Sequence, residues 1–159
     1  MLREKEKAPD FCLQGVDENM QEREICLKEL LSSPLVLYFY PKDDTPGCTQ
    51  EACDFRDNLS ILQTKGFRVV GVSPDSLQSH KKFKEKYGLN FILLSDPDKE
   101  VAKKYGAYGK KNMYGKEREG IIRSTFLISK EGNILKAFYN VKVKGHVESL
   151  LKAIDTIKF

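Results

Sequence analysis

Two cysteines, Cys48 and Cys53, lie five residues apart in the segment PKDDTPGCTQEAC, directly after a run of apolar residues. Such pairs occur as zinc ligands, as inert buried thiols, as structural disulfides and as redox-active nucleophiles. A zinc site needs more ligands than this, and the chain offers only His80 and His146 as imidazole donors. The x4 spacing is also looser than the usual C-x2-C, so a metal site is disfavoured.

The residues before Cys48 predict that this cysteine lies in the first turn of a helix. Thr45 followed by Pro46 is the pattern of an N-cap and a first-position proline. The sulfur would then lie near free backbone N–H groups and the positive end of the helix dipole, which favour a thiolate. That effect contributes about 0.3 to 1 kcal/mol, whereas lowering the pKa of a free thiol from about 8.5 to roughly 6 takes about 3.4 kcal/mol. We therefore expect an arginine from elsewhere in the chain beside Cys48.

Such a helix would keep Cys53 away from Cys48. Five residues of a regular helix separate the Cα atoms by roughly 8.7 Å, but a disulfide needs less than about 7 Å. If the two cysteines bond, the first turns must unwind, and a folded reduced form then alternates with a locally unfolded oxidised form.

The apolar pattern predicts the elements that position this helix. Leu35 to Tyr40 is a continuous apolar run, typical of a central strand covered on both faces. The alternation of strands and helices predicts a three-layer α/β fold with a central, partly parallel sheet and helices on both faces. The predicted order begins with a strand pair around residues 17–19, the central strand and a helix ending near Gly66. The strand FRVVGVS, a helix from Ser73-Pro74 to Tyr87, the strand FILLS and a helix from Asp96-Pro97 to Tyr105 follow. The chain then continues as a long loop from Gly106 to Gly120, a hairpin of STFLIS and NILKAFY, and a helix from Val147 to Ile157.

Length and composition bound the possible functions. A chain of 159 residues, of which 40% are hydrophobic, predicts one domain over residues 1–159. Its 27 basic and 23 acidic residues are interspersed, which disfavours nucleic-acid binding. No apolar run approaches the roughly 20 residues of a membrane span, and the charged amino terminus is unlike a secretory signal. We therefore expect a soluble, cytoplasmic protein without a membrane partner.

Two further cysteines, Cys12 and Cys26, fall in the amino-terminal strand region. A reducing cytoplasm argues against a disulfide scaffold built from the four cysteines of the chain. We interpret Cys12 and Cys26 as structural, with glutathionylation or an intermolecular bond as the alternative.

The segment around Cys48 resembles the active site of the peroxiredoxins, which are thiol peroxidases on a thioredoxin-like fold. Pro41-x3-Thr45-x2-Cys48 matches their P-x3-T-x2-C motif. The string FYPKDDTPGCTQEACDFRD, the later RSTFLIS and the overall length resemble the peroxiredoxin Q or bacterioferritin comigratory protein branch, from about Lys7 onward. The resemblance implies that Cys48 is the peroxidatic cysteine, which becomes a sulfenic acid, and that Cys53 is the resolving cysteine.

The resemblance also implies roles for the neighbours of Cys48. The Thr45 hydroxyl would hydrogen-bond the thiolate and the peroxide, and a plain N-cap is compatible with that role. Pro41 would shield the thiolate from water, and Arg123 would be the active-site arginine.

The remaining donors would come from the helix itself. The backbone N–H groups of Gly47 and Cys48 would complete the set around the peroxide. Glu51 would bind near the substrate by orienting Arg123, with a solvated helix glutamate as the alternative.

Taken together, the resemblance implies a monomeric antioxidant oxidoreductase that reduces hydrogen peroxide and organic hydroperoxides. Its atypical two-cysteine cycle would close through a Cys48–Cys53 disulfide reduced by thioredoxin or a similar dithiol, without metal, haem or flavin. Three alternatives stay open: a general thiol–disulfide oxidoreductase, which usually carries C-x2-C; a redox-sensing binding protein; and a zinc module.

Overall fold

A central sheet organises the chain in the computed structural model, which describes residues 1–113 and 115–157. The strands are β1 (Cys12–Val16), β2 (Glu22–Cys26), β3 (Leu35–Phe39), β4 (Arg68–Ser73), β5 (Ile92–Ser95), β6 (Tyr108–Met113), β7 (Lys116–Ile121), β8 (Ser124–Ile128) and β9 (Ile134–Phe138). Seven of them form one mixed sheet in the order β2-β1-β5-β4-β3-β8-β9. The strand β3 therefore lies inside the sheet, as its apolar sequence predicts.

Helices cover both faces of this sheet. They are α1 (Leu27–Leu30), α2 (Pro46–Thr64), α3 (Leu77–Tyr87), α4 (Glu100–Lys104) and α5 (His146–Thr156). The helices α2, α3 and α5 share a core with Val36 and Tyr38 of β3, whereas α1 and α4 share the opposite core with Leu37 and Phe39. The predicted three-layer α/β fold is confirmed. None of the helices in the described ranges is both long and apolar enough to cross a bilayer.

The sheet register brings distant parts of the chain to the start of α2. The strands β3 and β8 are antiparallel neighbours, and Phe39 lies opposite Ser124. The end of β3, where the chain continues toward α2, therefore lies beside the start of β8. This register places Arg123, which directly precedes β8, beside the first turn of α2.

Two helices begin later than the sequence predicted. Ser73 is still paired as the last residue of β4, and Ser76 caps α3 instead by accepting a hydrogen bond from an N–H of its first turn. The helix α4 begins at Glu100, yet the carboxylate of Asp96 still accepts hydrogen bonds from two N–H groups of this helix, at 3.4 and 2.9 Å. Continued pairing of β4 explains the later start of α3. Before α4 the chain forms a turn, in which the N–H of Lys99 donates to the carbonyl oxygen of Asp96 at 3.0 Å.

The prediction of a loop from Gly106 to Gly120 is wrong, because β6 and β7 pair there as a separate antiparallel hairpin. Most of β7 is exposed and charged, so the segment carries no alternating apolar pattern that would reveal a strand. Gly115 lies in the connection with a φ of 76°, a conformation that glycine adopts at little cost. The short helix α1 also escaped prediction, since four residues are too few to show a helical period.

The structure joins Cys12 and Cys26 in a disulfide across the β1–β2 hairpin. The two residues lie directly opposite each other in the antiparallel register. Neither glutathionylation nor an intermolecular bond is required to pair them. The expectation that the chain carries no structural disulfide is corrected at this position. The signal was present in the sequence, because both cysteines lie seven residues from Asn19 in the predicted turn.

Candidate active site

Cys48 lies in the first turn of α2 and is 2% exposed. Thr45 is the N-cap and Pro46 opens the helix, as the sequence predicted. The inward face of the helix continues through Ala52 and Phe55, which pack with Cys48 in one apolar core. Packing therefore fixes the orientation of the helix and with it the position of the sulfur.

Arg123 bridges Cys48 and Glu51. Its Nη2 lies 3.3 Å from the sulfur of Cys48, and its Nη1 donates to Oε1 of Glu51 at 2.7 Å. A Cβ on Gly47 would come within 3.3 Å of the same guanidinium, so the glycine leaves room for it. The structure thus places an arginine beside Cys48, as expected because the helix end alone stabilises a thiolate too little.

Glu51 is a buried partner of this arginine, and the alternative of a solvated glutamate is wrong. Burial raises the pKa of Glu51 to about 7, although the charge of Arg123 acts in the opposite direction. Within the described residues, its second oxygen and the hydroxyl of Tyr38 have no hydrogen-bond partner. Burial also raises the pKa of Tyr38 well above its usual range, with the charge of Glu51 acting in the same direction. The guanidinium of Arg123 is therefore shared between the sulfur of Cys48 and the carboxyl group of Glu51.

A histidine near the arginine is held uncharged. Burial lowers the pKa of His146 to about 4, and the positive charge of Arg123 contributes to the shift. Its Nε2 lies 2.8 Å from the hydroxyl of Thr125. His146 is therefore neutral near pH 7 and adds no cation to the site.

Pro41 and Arg123 line a surface cavity of about 500 Å³. Lys111 and Val141 contribute a charged and an apolar wall to it. Burial lowers the pKa of Lys111, and the charge of Arg123 acts in the same direction. The cavity thus connects the arginine to solvent and combines a positive side with an apolar side.

Thr45 uses its hydroxyl locally. The hydroxyl donates to the carbonyl oxygen of Lys42 at 2.9 Å. Thr45 occupies the N-cap position as predicted, but its side chain forms no capping hydrogen bond to the helix. Within the described residues, this hydroxyl also forms no hydrogen bond to the sulfur of Cys48.

A buried network behind this loop was missed from the sequence. The carboxylate of Asp43 accepts from the hydroxyl of Tyr40 at 2.6 Å and from that of Ser79 at 2.8 Å. It also lies 2.7 Å from Nδ1 of His80, whose Nε2 is 2.8 Å from the carbonyl oxygen of Leu94. Both ring nitrogens of His80 are thus held by oxygen atoms, one on Asp43 and one on the backbone of β5. This network, which we call the Asp43 clamp, ties the segment before Cys48 to α3.

Cys53 is a free thiol on α2 and is partly exposed, while Cys48 is a free and buried thiol. Both cysteines lie within the same continuous helix. Their Cα atoms are therefore held roughly 8.7 Å apart, beyond disulfide reach. The structure brings Arg123 and Glu51 to Cys48 but leaves Cys53 at a distance.

The AhpC/TSA family matches residues 5–137 of this chain. The chain is 55% identical over 147 residues to a putative peroxiredoxin bcp of Helicobacter pylori J99, covering 92% of this chain and 94% of the relative. It is 46% identical over 149 residues to peroxiredoxin Bcp of Bacillus subtilis, covering 94% and 92%. Among solved structures, peroxiredoxin Q of Xanthomonas campestris is 41% identical, with a TM-score of 0.82 over 91% of this chain and 89% of that one. A structure of the bacterioferritin comigratory protein of Xanthomonas campestris, described for its alkyl peroxide reduction activity, has a TM-score of 0.82 at 40% identity, over 91% of this chain and 90% of that one.

Proposed function

Because the chain belongs to the AhpC/TSA family, in the Bcp/PrxQ branch of the peroxiredoxins, we propose that Cys48 attacks peroxides and that Cys53 resolves the product. The chain is a thiol peroxidase of this branch. The proposal concerns which residues carry the reaction and how the cycle closes. We also propose that the chain works as a monomer with one domain over residues 1–159.

The contact between Arg123 and the sulfur of Cys48 carries this proposal. In the first step the Cys48 thiolate attacks the terminal oxygen of a hydroperoxide. A sulfur–oxygen bond forms, the oxygen–oxygen bond breaks, and Cys48 becomes a sulfenic acid. The departing alkoxide or hydroxide takes a proton and leaves as an alcohol or water. The guanidinium stabilises the thiolate before the step and the negative charge on the peroxide oxygens during it.

Backbone donors complete the arrangement. The N–H of Thr49 is the first to bond within the helix, to the carbonyl oxygen of Thr45 at 2.8 Å. The N–H groups of Gly47 and Cys48 precede it and have no acceptor within the helix. Because no hydrogen bond occupies them in the described part of the chain, they could hold the peroxide. Glu51 fixes the guanidinium in this arrangement. The hydroxyl of Thr45 would exchange its present acceptor for the peroxide when the substrate binds.

The cavity beside Arg123 suits small peroxides with different substituents. Its arginine and lysine attract a polar O–O group, while Pro41 and Val141 accommodate an alkyl chain and limit access of water. We propose that both hydrogen peroxide and organic hydroperoxides are substrates. The alkyl peroxide activity described for the Xanthomonas campestris protein supports the second class.

Resolution requires α2 to unwind at its start. The thiol of Cys53 then attacks the sulfenic sulfur of Cys48, which yields a disulfide and releases water. A dithiol of the thioredoxin type supplies two electrons and two protons to restore both thiols. The Asp43 clamp would anchor the chain upstream, so that the change stays within the helix.

The test is to add one equivalent of hydrogen peroxide to the reduced protein and to map its disulfides by mass spectrometry. A Cys12→Ser/Cys26→Ser background removes the second pair, and Cys48→Ser and Cys53→Ser variants provide the comparison. We expect a rapid Cys48–Cys53 bond, no reaction without Cys48, and a persistent sulfenic acid without Cys53. Appreciable turnover in Cys48→Ser would refute the mechanism, and a persistent sulfenic acid with Cys53 present would refute its resolving role.

A further inference from the structure

The Cys12–Cys26 disulfide lies where another protein can reach it. It joins the first residue of β1 to the last residue of β2, at the end of the hairpin away from its turn, and β2 is an edge strand of the sheet. Cys12 is exposed and Cys26 is half-buried. Cys12 is therefore the more accessible of the two cysteines to an attacking thiolate from solvent.

The disulfide and the candidate active site lie at the same end of the strands of the sheet. Gln14 pairs with Ser95 at the carboxyl end of β5, and Ser95 pairs with Ser73 at the carboxyl end of β4. Cys12 lies two residues beyond Gln14, past the carboxyl end of β5. The chain leaves β3 toward Cys48 at this same end of the strands. Three strand spacings separate β1 from β3, which is about 14 Å. The two cysteine pairs are thus too far apart to exchange directly within one folded chain.

Reduction of this disulfide would not remove the contacts that hold the hairpin. Five residue pairs of β1 and β2 stay in register, and the N–H of Leu27 still donates to the carbonyl oxygen of Phe11 at 2.9 Å. The two sulfurs would remain opposite each other after reduction. The pair can therefore open and close without refolding of the hairpin.

A carboxylate stands beside the two sulfurs. An oxygen of Glu24 and the sulfurs of Cys12 and Cys26 all lie within 4.8 Å of one another. Within the described residues Glu24 forms no ion pair, whereas Glu22 on the same strand is paired with Lys81 at 2.9 Å. The charge of Glu24 therefore repels an incoming thiolate and destabilises the thiolate that leaves, and both effects slow exchange.

We propose that Cys12 and Cys26 form a second thiol–disulfide exchange site, at which an external dithiol reduces the chain and Glu24 limits the rate. One thiolate of the dithiol attacks the sulfur of Cys12, the bond to Cys26 breaks, and Cys26 leaves as a thiolate that takes a proton. The second thiol of the donor then releases Cys12. Two electrons and two protons enter the chain, and the donor departs as a disulfide.

The test uses an oxidised Cys48→Ser/Cys53→Ser variant, so the result is independent of the peroxidase proposal. The probe is thioredoxin with its reductase and NADPH, and the readouts are NADPH consumption and alkylation of the new thiols under native conditions. We expect one NADPH per chain, alkylation at Cys12 and Cys26, an unchanged circular dichroism spectrum, and restoration of the bond by glutathione disulfide. Absence of NADPH consumption, or thiols that appear only in urea, would overturn the proposal.

Two matched variants test the role of Glu24. Removal of one charge about 5 Å from the sulfurs in a water-like dielectric changes a rate by about fourfold, so Glu24→Gln should accelerate reduction by that factor. Glu22→Gln makes the same chemical change on the same strand and should leave the rate within the error of the parent. Equal rates in the two variants would remove Glu24 from the site.

Discussion

The two cysteine pairs of this chain relate sequence distance to spatial distance in opposite ways. Cys48 and Cys53 are five residues apart, yet one continuous helix keeps their sulfurs from meeting. Cys12 and Cys26 are fourteen residues apart, yet the antiparallel register places them opposite each other and joins them. A helix separates neighbours and a sheet brings distant residues together. The first pair must therefore change conformation to bond, and the second need not.

The charges around the two pairs differ as well. The sulfur of Cys48 has the guanidinium of Arg123 at 3.3 Å, whereas a carboxylate oxygen of Glu24 lies within 4.8 Å of the sulfurs in the hairpin. A cation stabilises a thiolate and an anion destabilises it. We infer that the helical pair is suited to attack and the hairpin pair to slow exchange.

Removal of the Arg123 guanidinium should produce the largest change in reaction rate. It should affect the helical pair and leave the hairpin pair unchanged. Arg123→Ala should slow the reaction of Cys48 with peroxide by about 10²- to 10³-fold, because a preorganised donor to the reacting oxygens is lost. Stopped-flow measurement with hydrogen peroxide gives the rate, and reduction of the Cys12–Cys26 bond should be unaffected. Arg68→Ala is the matched control, because it removes an arginine at the opposite end of the strands. Its Cys48 should react with peroxide at the rate of the parent. Unchanged kinetics in Arg123→Ala would exclude this residue from the site.

The hairpin disulfide should contribute to stability, whereas the helical pair should not in its reduced form. Closure of a loop of about 15 residues stabilises a fold by about 3 kcal/mol in the chain-entropy model. The Cys12→Ser/Cys26→Ser variant should therefore lose up to about 3 kcal/mol of unfolding free energy, measured by urea denaturation. Cys53→Ser should lose little, since it breaks no bond. Identical urea midpoints for the double variant and the parent would contradict the prediction.

The buried carboxyl beside Cys48 should make stability depend on pH. The pKa of Glu51 is raised to about 7 from an ordinary 4.5, so the folded chain retains a proton that the unfolded chain releases between these values. Its contribution to the free energy of unfolding is complete below pH 4.5 and declines as the pH rises to about 7, by up to about 3 kcal/mol. Glu51→Gln should remove this decline in urea titrations across that range. Glu148→Gln, an exposed change on α5, should preserve it, and a decline that persists in Glu51→Gln would assign it to other groups.

The sequence predicted the parts of the site that depend on local pattern. Thr45 and Pro46 indicated where α2 begins, and the apolar run from residue 35 indicated a buried strand. Arg123 was identified through the family resemblance, because only the register of β3 and β8 brings it to Cys48. Long-range pairing of this kind leaves no periodic trace in the chain.

The features that escaped prediction have different causes. Asp43 and His80 are 37 residues apart and meet only after α3 packs on the sheet. The β6–β7 hairpin is held by backbone pairing, and most side chains of β7 are charged and exposed. The sequence of this hairpin therefore lacks an apolar pattern. The Cys12–Cys26 bond needed a correct hairpin register, which the symmetric spacing about Asn19 would have supplied.

The Asp43 clamp has a further consequence for the fate of the sulfenic acid. Because Asp43 is fixed to Tyr40 and His80, the chain stays anchored just before α2 when the first turns of this helix unwind. The five residues from Cys48 to Cys53 span at most about 17 Å when fully extended. A thiol confined this closely has an effective concentration in the millimolar range. If Cys53 resolves the sulfenic acid as proposed, that step is independent of peroxide concentration, whereas over-oxidation needs a second peroxide molecule. Low peroxide concentrations would therefore favour the disulfide and protect the sulfur from irreversible oxidation.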